Sequence, residues 1–143
     1  MELTHAINNE HMVNGLNRVL RMTYENLARC KHIQAKSANL AIKPMLDELV
    51  VAHTAHLDLL HDSILYLGGA PSPDPKIHSG ALFPWSVVMP GYRLRRAEQR
   101  IIDVCDEQVR LLAGADEVTK TLNRVKDDIR ACLVMTDSDN GTR

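Results

Sequence analysis

Residues 68–91 read GGAPSPDPKIHSGALFPWSVVMPG. Five of the chain's six prolines and four of its seven glycines fall in this stretch. Proline has no N–H to donate and its ring clashes with the preceding helical turn; glycine gives up the most backbone freedom on ordering. The segment is therefore a connector, and the regular structure lies on either side of it, where such breakers are nearly absent. A link this long in a small domain needs a reason. Extended chain covers up to ~3.3–3.6 Å per residue, so this link can run the length of a helical bundle. The two helices it joins then point the same way.

Upstream, two segments show helical spacing. In the first, expected over about residues 4–36, Val13, Leu16, Leu20, Thr23, Leu27, Cys30 and Gln34 recur every three or four residues and form one face. Ser37 and Asn39 mark a break, because such side chains cap helix starts. The second is expected over about residues 40–67, with Leu46, Leu49, His53, His56, Leu60, Ile64 and Leu67 inward. Pro44 fits only near its start, and Gly68 is its stop.

Downstream, a third helix is expected over about residues 92–113, with Ala97, Ile101, Val104, Cys105, Gln108 and Leu112 inward. Gly114 ends it and Asp116 caps a fourth, expected over 117–135, whose inward residues are Val118, Leu122, Val125, Ile129 and Cys132. Residues 137–143 read as a flexible tail. No β alternation and no solenoid-length repeat is present. The expected fold is all-α, a four-helix bundle over residues 1–136 whose second and third helices are joined by the 68–91 crossover.

Composition narrows the function. A chain of 143 residues is one ordinary domain. Its formal net charge of -1 offers no bulk attraction to nucleic acid, and five aromatics (Tyr24, Tyr66, Phe83, Trp85, Tyr92) are few for base stacking. A nucleic-acid partner is not expected. No apolar run approaches the ~20 residues of a membrane span, and His5, Asn8, Asn9 and Glu10 stand where a leader needs an apolar block. Cys30, Cys105 and Cys132 are an odd count without CxxC spacing. They read as buried free thiols in a reducing compartment, which points to the cytoplasm.

Two residues stand out on the second helix. His53 and His56 lie one turn apart on an otherwise apolar stripe. At i and i+3 both imidazoles project the same way, and they can bind one metal ion or two adjacent ones. The other reading makes them neutral core histidines hydrogen-bonded to Thr23 or Tyr24 across the helix pair.

The segment HTAHLDLLHDSILYLGGAP, residues 53–71, resembles the second helix of bacterioferritins and related ferritin-like proteins. That family carries Glu-x-x-His here, followed by an Ile-x-x-Leu run, a glycine and a proline. The resemblance puts His56 on the family's metal-binding histidine and His53 on its bridging glutamate. The first helix has Thr23 or Leu27 opposite, with Glu25 on another face. On the third helix the candidates are Arg96 and Glu98, of which only Glu98 is an acid. The fourth lacks Glu-x-x-His; of Asp127 and Asp128, Asp128 borders the inward stripe. The implied ligand set is His53, His56, Glu98 and Asp128. With imidazoles in place of carboxylates, zinc, copper or nickel suits the site as well as iron, and ferroxidase activity is expected to be weak or absent. The haem-binding form has a methionine between the two ligands, where this chain has Thr54 and Ala55, so no haem is expected.

The same segment also resembles DNA-protecting ferritin relatives, which carry Asp-x-x-x-Glu and end in Leu-Gly-Gly-x-Pro; here the residues are Asp58, Asp62 and Leu67 to Pro71. In that family the acids build an iron site between subunits, a role that would fall to Asp58 and Asp62 with His61 beside them. Their plain reading is a solvated acidic face. The family implies a homo-oligomer, at least a dimer. PWSVVMP, residues 84–90, is too apolar for water and should pack on the bundle or on another subunit. Arg93, Arg95, Arg96 and Arg100 cluster at the start of the third helix and read as a basic face or an interface. The functional expectation is transition-metal binding or storage; the alternative is an interaction protein that kept the bundle without the metal.

Overall fold

The computed structural model describes residues 2–36, 40–112 and 114–141, with backbone alone for 2–8, 40 and 135–141. The described residues are all-helical: α1 (Glu2–Lys36), a 3-10 turn (Leu40–Ile42), α2 (Lys43–Tyr66), α3 (Ser79–Val87), α4 (Pro90–Leu111) and α5 (Asp116–Gly141). None of the helices is long and apolar enough to cross a membrane. The expected break at Ser37 and Asn39 lies outside the described residues.

The ends of α2 follow from local chemistry. Pro44 sits in its first turn, where the missing N–H has no partner to lose. At the other end Gly68 adopts φ +80°, a left-handed conformation that a Cβ disfavours. The Gly69 N–H then bonds Ile64 O and the Gly68 N–H bonds Leu65 O, both at 3.0 Å. These two bonds satisfy carbonyls that the helix leaves unpaired. Gly69 in turn packs on α1, so closely that a Cβ there would lie 2.6 Å from Val13. Asn17 secures the exit: its amide donates to Ala70 O at 3.0 Å and accepts from the Ser72 N–H at 2.7 Å.

One expectation is corrected. The 68–91 link is not extended throughout, because Ser79–Val87 forms α3. His78 Nδ1 accepts the Gly80 N–H at 3.1 Å and caps it. Pro84 sits inside this helix and removes one of its hydrogen bonds, but Trp85 packs on the hydrophobic core. Tertiary burial outweighs the local cost. Of the apolar run, Phe83, Val87, Val88 and Met89 remain exposed. At the C-terminus the backbone is helical to Gly141. Once a helix exists, each added residue gains a bond for one residue fixed, so poor helix formers can extend it. Residues 142 and 143 lie outside the described residues.

Cross-helix contacts fix the directions. Along α1 and α2, Gln34 meets Asp47 and Tyr24 meets His61, so the pair is antiparallel. Along α2 and α5, His56 meets Asp128 and Ser63 meets Thr121, again antiparallel. Asp106 to Lys126 and Arg95 to Leu133 give the same sense for α4 and α5. Thus α2 and α4 both run opposite to α5.

The core divides into two clusters. One gathers Leu16, Leu20, Leu60, Ile64, Ile101, Leu122 and Ile129. The other gathers Cys30, Ile33, Met45, Leu49, Leu94 and Cys132. On α1, α2 and α4 the residues separating the two include polar side chains, Thr23 and Asn26 on α1, His53 and His56 on α2 and Glu98 on α4, and Asp128 of α5 meets this level through His56. A polar layer therefore crosses the interior between two apolar ones.

Candidate metal centre

The polar layer exists because helical spacing puts these residues where apolar ones would otherwise stand. His53 and His56 follow Leu46 and Leu49 and precede Leu60 on the α2 stripe, and both are buried. Glu98 follows Leu94 and precedes Ile101 and Ile102 on α4, and it too is fully buried. A carboxylate inside a protein must be paired or hydrogen-bonded. Here His53 Nε2 lies 2.7 Å from Glu98 Oε2 and donates to it. Cys30 Sγ, from α1, lies 4.0 Å from the same oxygen. One donor atom each of Cys30, His53 and Glu98 falls within 4.8 Å of the others, and all three residues are buried.

His56 faces α5. Its Nε2 lies 2.9 Å from Asp128 Oδ2, which also accepts from Arg124 Nε at 3.3 Å. Asp128 is half-buried, so this pair reaches the surface while the His53–Glu98 pair does not. The two imidazoles stand edge to face, 6.1 Å between ring centres.

Both histidines thus spend Nε2–H on a carboxylate. In that tautomer Nδ1 keeps its lone pair, and His53 Nδ1, His56 Nδ1 and Glu98 Oε1 are buried with no hydrogen-bond partner. Native interiors leave few polar atoms unpaired, and with Asn26 Nδ2 this layer holds four.

Burial dominates the electrostatics. It pushes the Cys30 thiol well above its ordinary value, and the Glu98 charge adds to that. Burial likewise takes Cys105 to about 12 and Cys132 to about 11. It holds the His56 imidazole below its usual value, against the Asp128 hydrogen bond, which pulls it up. Without a cation Cys30 is a neutral thiol; a divalent ion would invert that preference and bind the thiolate. Zinc bonds of ~2.0–2.3 Å set neighbouring ligand atoms ~3.3–3.8 Å apart in a tetrahedron, so ion binding would draw Cys30 Sγ inward and part His53 Nε2 from Glu98 Oε2.

The four residues expected as ligands occur as two pairs, His53 with Glu98 and His56 with Asp128. The expected bonds from Thr23 and Tyr24 to these histidines are absent: Thr23 Oγ1 donates to Val19 O, and Tyr24 Oη pairs with His61. Asp127 is exposed. Asp58 and Asp62 are exposed as well, and His61 is turned to Tyr24. Sequence reasoning missed Cys30 as a partner of Glu98. Its place on the α1 stripe, two turns beyond Thr23, was the available signal. No protein-family model, no curated protein and no solved structure matches the chain, and the centre itself carries the functional reading.

Proposed function

We propose that the protein binds a transition metal ion inside a ferritin-like four-helix bundle, at Cys30, His53 and Glu98, with His56 and Asp128 as the adjoining pair. The buried Cys30–His53–Glu98 group carries this reading. A thiolate and a carboxylate supply two negative charges, which a divalent ion neutralises, and the imidazole adds a neutral donor. Thiolate with imidazole favours zinc, copper or nickel, and iron remains within reach of the carboxylate and imidazoles. Three donors leave a position for His56 or for an external ligand.

The bundle is supported by the antiparallel contacts of α1 with α2, α2 with α5 and α5 with α4. The link from α2 to α4 is then its crossover, with α3 embedded in it. A homo-oligomer is supported by Phe83, Val87, Val88 and Met89, an exposed apolar group at the end of α3. Standard di-iron oxidation is disfavoured, because Glu98 and Asp128 are the only acids in the layer. The direct His53–Glu98 bond also suits a second reading, in which the pair is structural and the bundle serves interaction alone.

Elemental analysis of untagged protein decides between them. After exposure to zinc, copper, nickel or ferrous ion and desalting, wild type should keep one of these metals stoichiometrically, and Cys30→Ala and His53→Leu should lose it. Retention of none by wild type, or equal retention by the variants, leaves the structural reading.

A further inference from the structure

Beside the polar layer, six arginines converge on one hollow. Arg18, Arg21 and Arg29 lie along one face of α1, and Arg93, Arg96 and Arg100 along one face of α4. Trp85 of α3 closes one end, and the hollow has a volume of about 870 Å³. That is within the ~300–1,000 Å³ range of small-molecule sites. Glu25 and Asp103 are the only acids lining it, so the arginines leave an excess of four positive charges. The whole chain, by contrast, has a net charge of -1.

This charge is held in place rather than left to dangle. Arg29 stacks on the Trp85 ring at 4.2 Å and Arg93 on the same ring at 4.6 Å. Arg29 also donates to Asn26 Oδ1 at 2.7 Å, Arg93 to Pro84 O at 3.1 Å, and Arg96 to Tyr92 Oη at 3.2 Å. None of these partners carries a charge. Arg18 has one, Glu107 at 3.8 Å, but both side chains are about half exposed and such pairs contribute little. Fixing like charges in a shared recess costs free energy unless a counter-charge arrives. Burial works against the Arg29 charge, the Glu25 and Glu98 carboxylates favour it, and Arg100 and Arg93 oppose it again. Asn26 also lines the hollow; it is buried, and its Nδ2 donates to nothing.

We infer that this hollow binds a small anion carrying two or more phosphoryl groups, gripped between the arginine rows of α1 and α4. The guanidinium fork matches phosphoryl oxygens in pairs, and several forks along a groove suit a chain of phosphates better than one. An excess of four positive charges is matched by the three to four negative charges of a triphosphate. Nucleic acid is a poorer fit: guanidinium groups lie over Trp85, the one tryptophan, so its ring is not a free platform for bases. None of Cys30, His53, His56, Glu98 and Asp128 lines the hollow.

Calorimetric titration at a fixed ionic strength of ~0.15 M tests this, since screening removes weak general attraction. The probes are inorganic tripolyphosphate, adenosine triphosphate, sulfate and a single-stranded oligonucleotide. Tripolyphosphate should bind, and sulfate should bind far more weakly. Equal affinity for adenosine triphosphate assigns recognition to the phosphate chain, and tighter binding assigns it to a nucleotide; both support the site. Arg21 and Arg100 are exposed and make no hydrogen bond among the described residues, so the double variant Arg21→Gln/Arg100→Gln should stay folded. It should bind at least about ten-fold more weakly, the effect expected for loss of charged hydrogen bonds. Lys31→Gln/Lys120→Gln, which removes the same charge elsewhere, should bind as wild type. Metal extraction by the phosphate chain would be indifferent to the arginine substitutions. Equal binding of sulfate and tripolyphosphate, undiminished binding by the arginine variant, or binding of the oligonucleotide alone overturns the proposal.

Discussion

His53 Nε2 and Glu98 Oε2 stand 2.7 Å apart with neither side chain reaching solvent. Among the described residues Glu98 is the only side-chain hydrogen-bond partner of His53, while Glu98 also meets the Cys30 thiol. Removing one leaves the other buried and unpaired, which costs more than removing both. Glu98→Leu alone, which leaves a neutral imidazole unpaired, should destabilise the metal-free protein by about 1–3 kcal/mol. His53→Leu/Glu98→Leu should come within about 1 kcal/mol of wild type, since an apolar pair of similar volume can replace a buried polar one. Denaturant titrations of the four proteins in the cycle check this, and additive losses would refute it.

A metal ion that binds only the folded chain raises its stability by mass action, by about 2.7 kcal/mol at a hundred times the dissociation constant. Wild type should show a rising melting temperature with added zinc. Cys30→Ala should abolish most of that rise, because the thiolate is the strongest donor of the three. A His56→Leu variant should keep part of it, since its pair with Asp128 lies beside the trio. Thermal melts across a zinc series provide the measurement.

Burial holds the His56 imidazole below its ordinary value of ~6.5 in the folded chain. Between the folded value and ~6.5 the unfolded chain carries a proton there and the native chain does not. The contribution is therefore complete above ~6.5 and is lost as pH falls from ~6.5 toward the folded value, below which it stays constant. The difference in unfolding free energy between wild type and His56→Leu should shrink over that window in metal-free protein. Denaturant titrations from pH 7.5 to 5 would show it, and a difference that grows on acidification would contradict it.

Gly68 and Gly69 should both resist alanine, for different reasons. At φ +80° Gly68 has open space around it, so Gly68→Ala should cost only the conformational strain of about 1–2 kcal/mol. Gly69→Ala would push a methyl into Val13, a steric cost of about 1–3 kcal/mol. Val13→Ala should rescue Gly69→Ala but not Gly68→Ala, read as melting temperatures.

What could be read early was whatever a single helix determines. The all-helical content follows from local spacing and breakers, and so does the burial of His53 and His56 on the α2 stripe. Glu98 was reachable as the one acid near that level of α4, and Asp128 as the acid bordering the α5 stripe. Cys30 was not legible as a partner of Glu98, because a thiol on an apolar face reads as a small hydrophobe. Its nearness to Glu98 depends on how α1 and α4 slide past each other, which no spacing within either helix encodes. The same limit hid α3, where Pro84 argues locally against a helix that packing at Trp85 supports. It also hid the hollow, since the α1 arginines face those of α4 only after folding.

The position of Trp85 has a practical consequence. It is the chain's single tryptophan, and two guanidinium groups lie over its ring. Indole emission shifts and quenches with the charges nearest the ring, so a reporter is already fixed at the mouth of the arginine hollow. Any anion that draws Arg29 or Arg93 off the ring changes that emission, with no label attached and no second indole to obscure it.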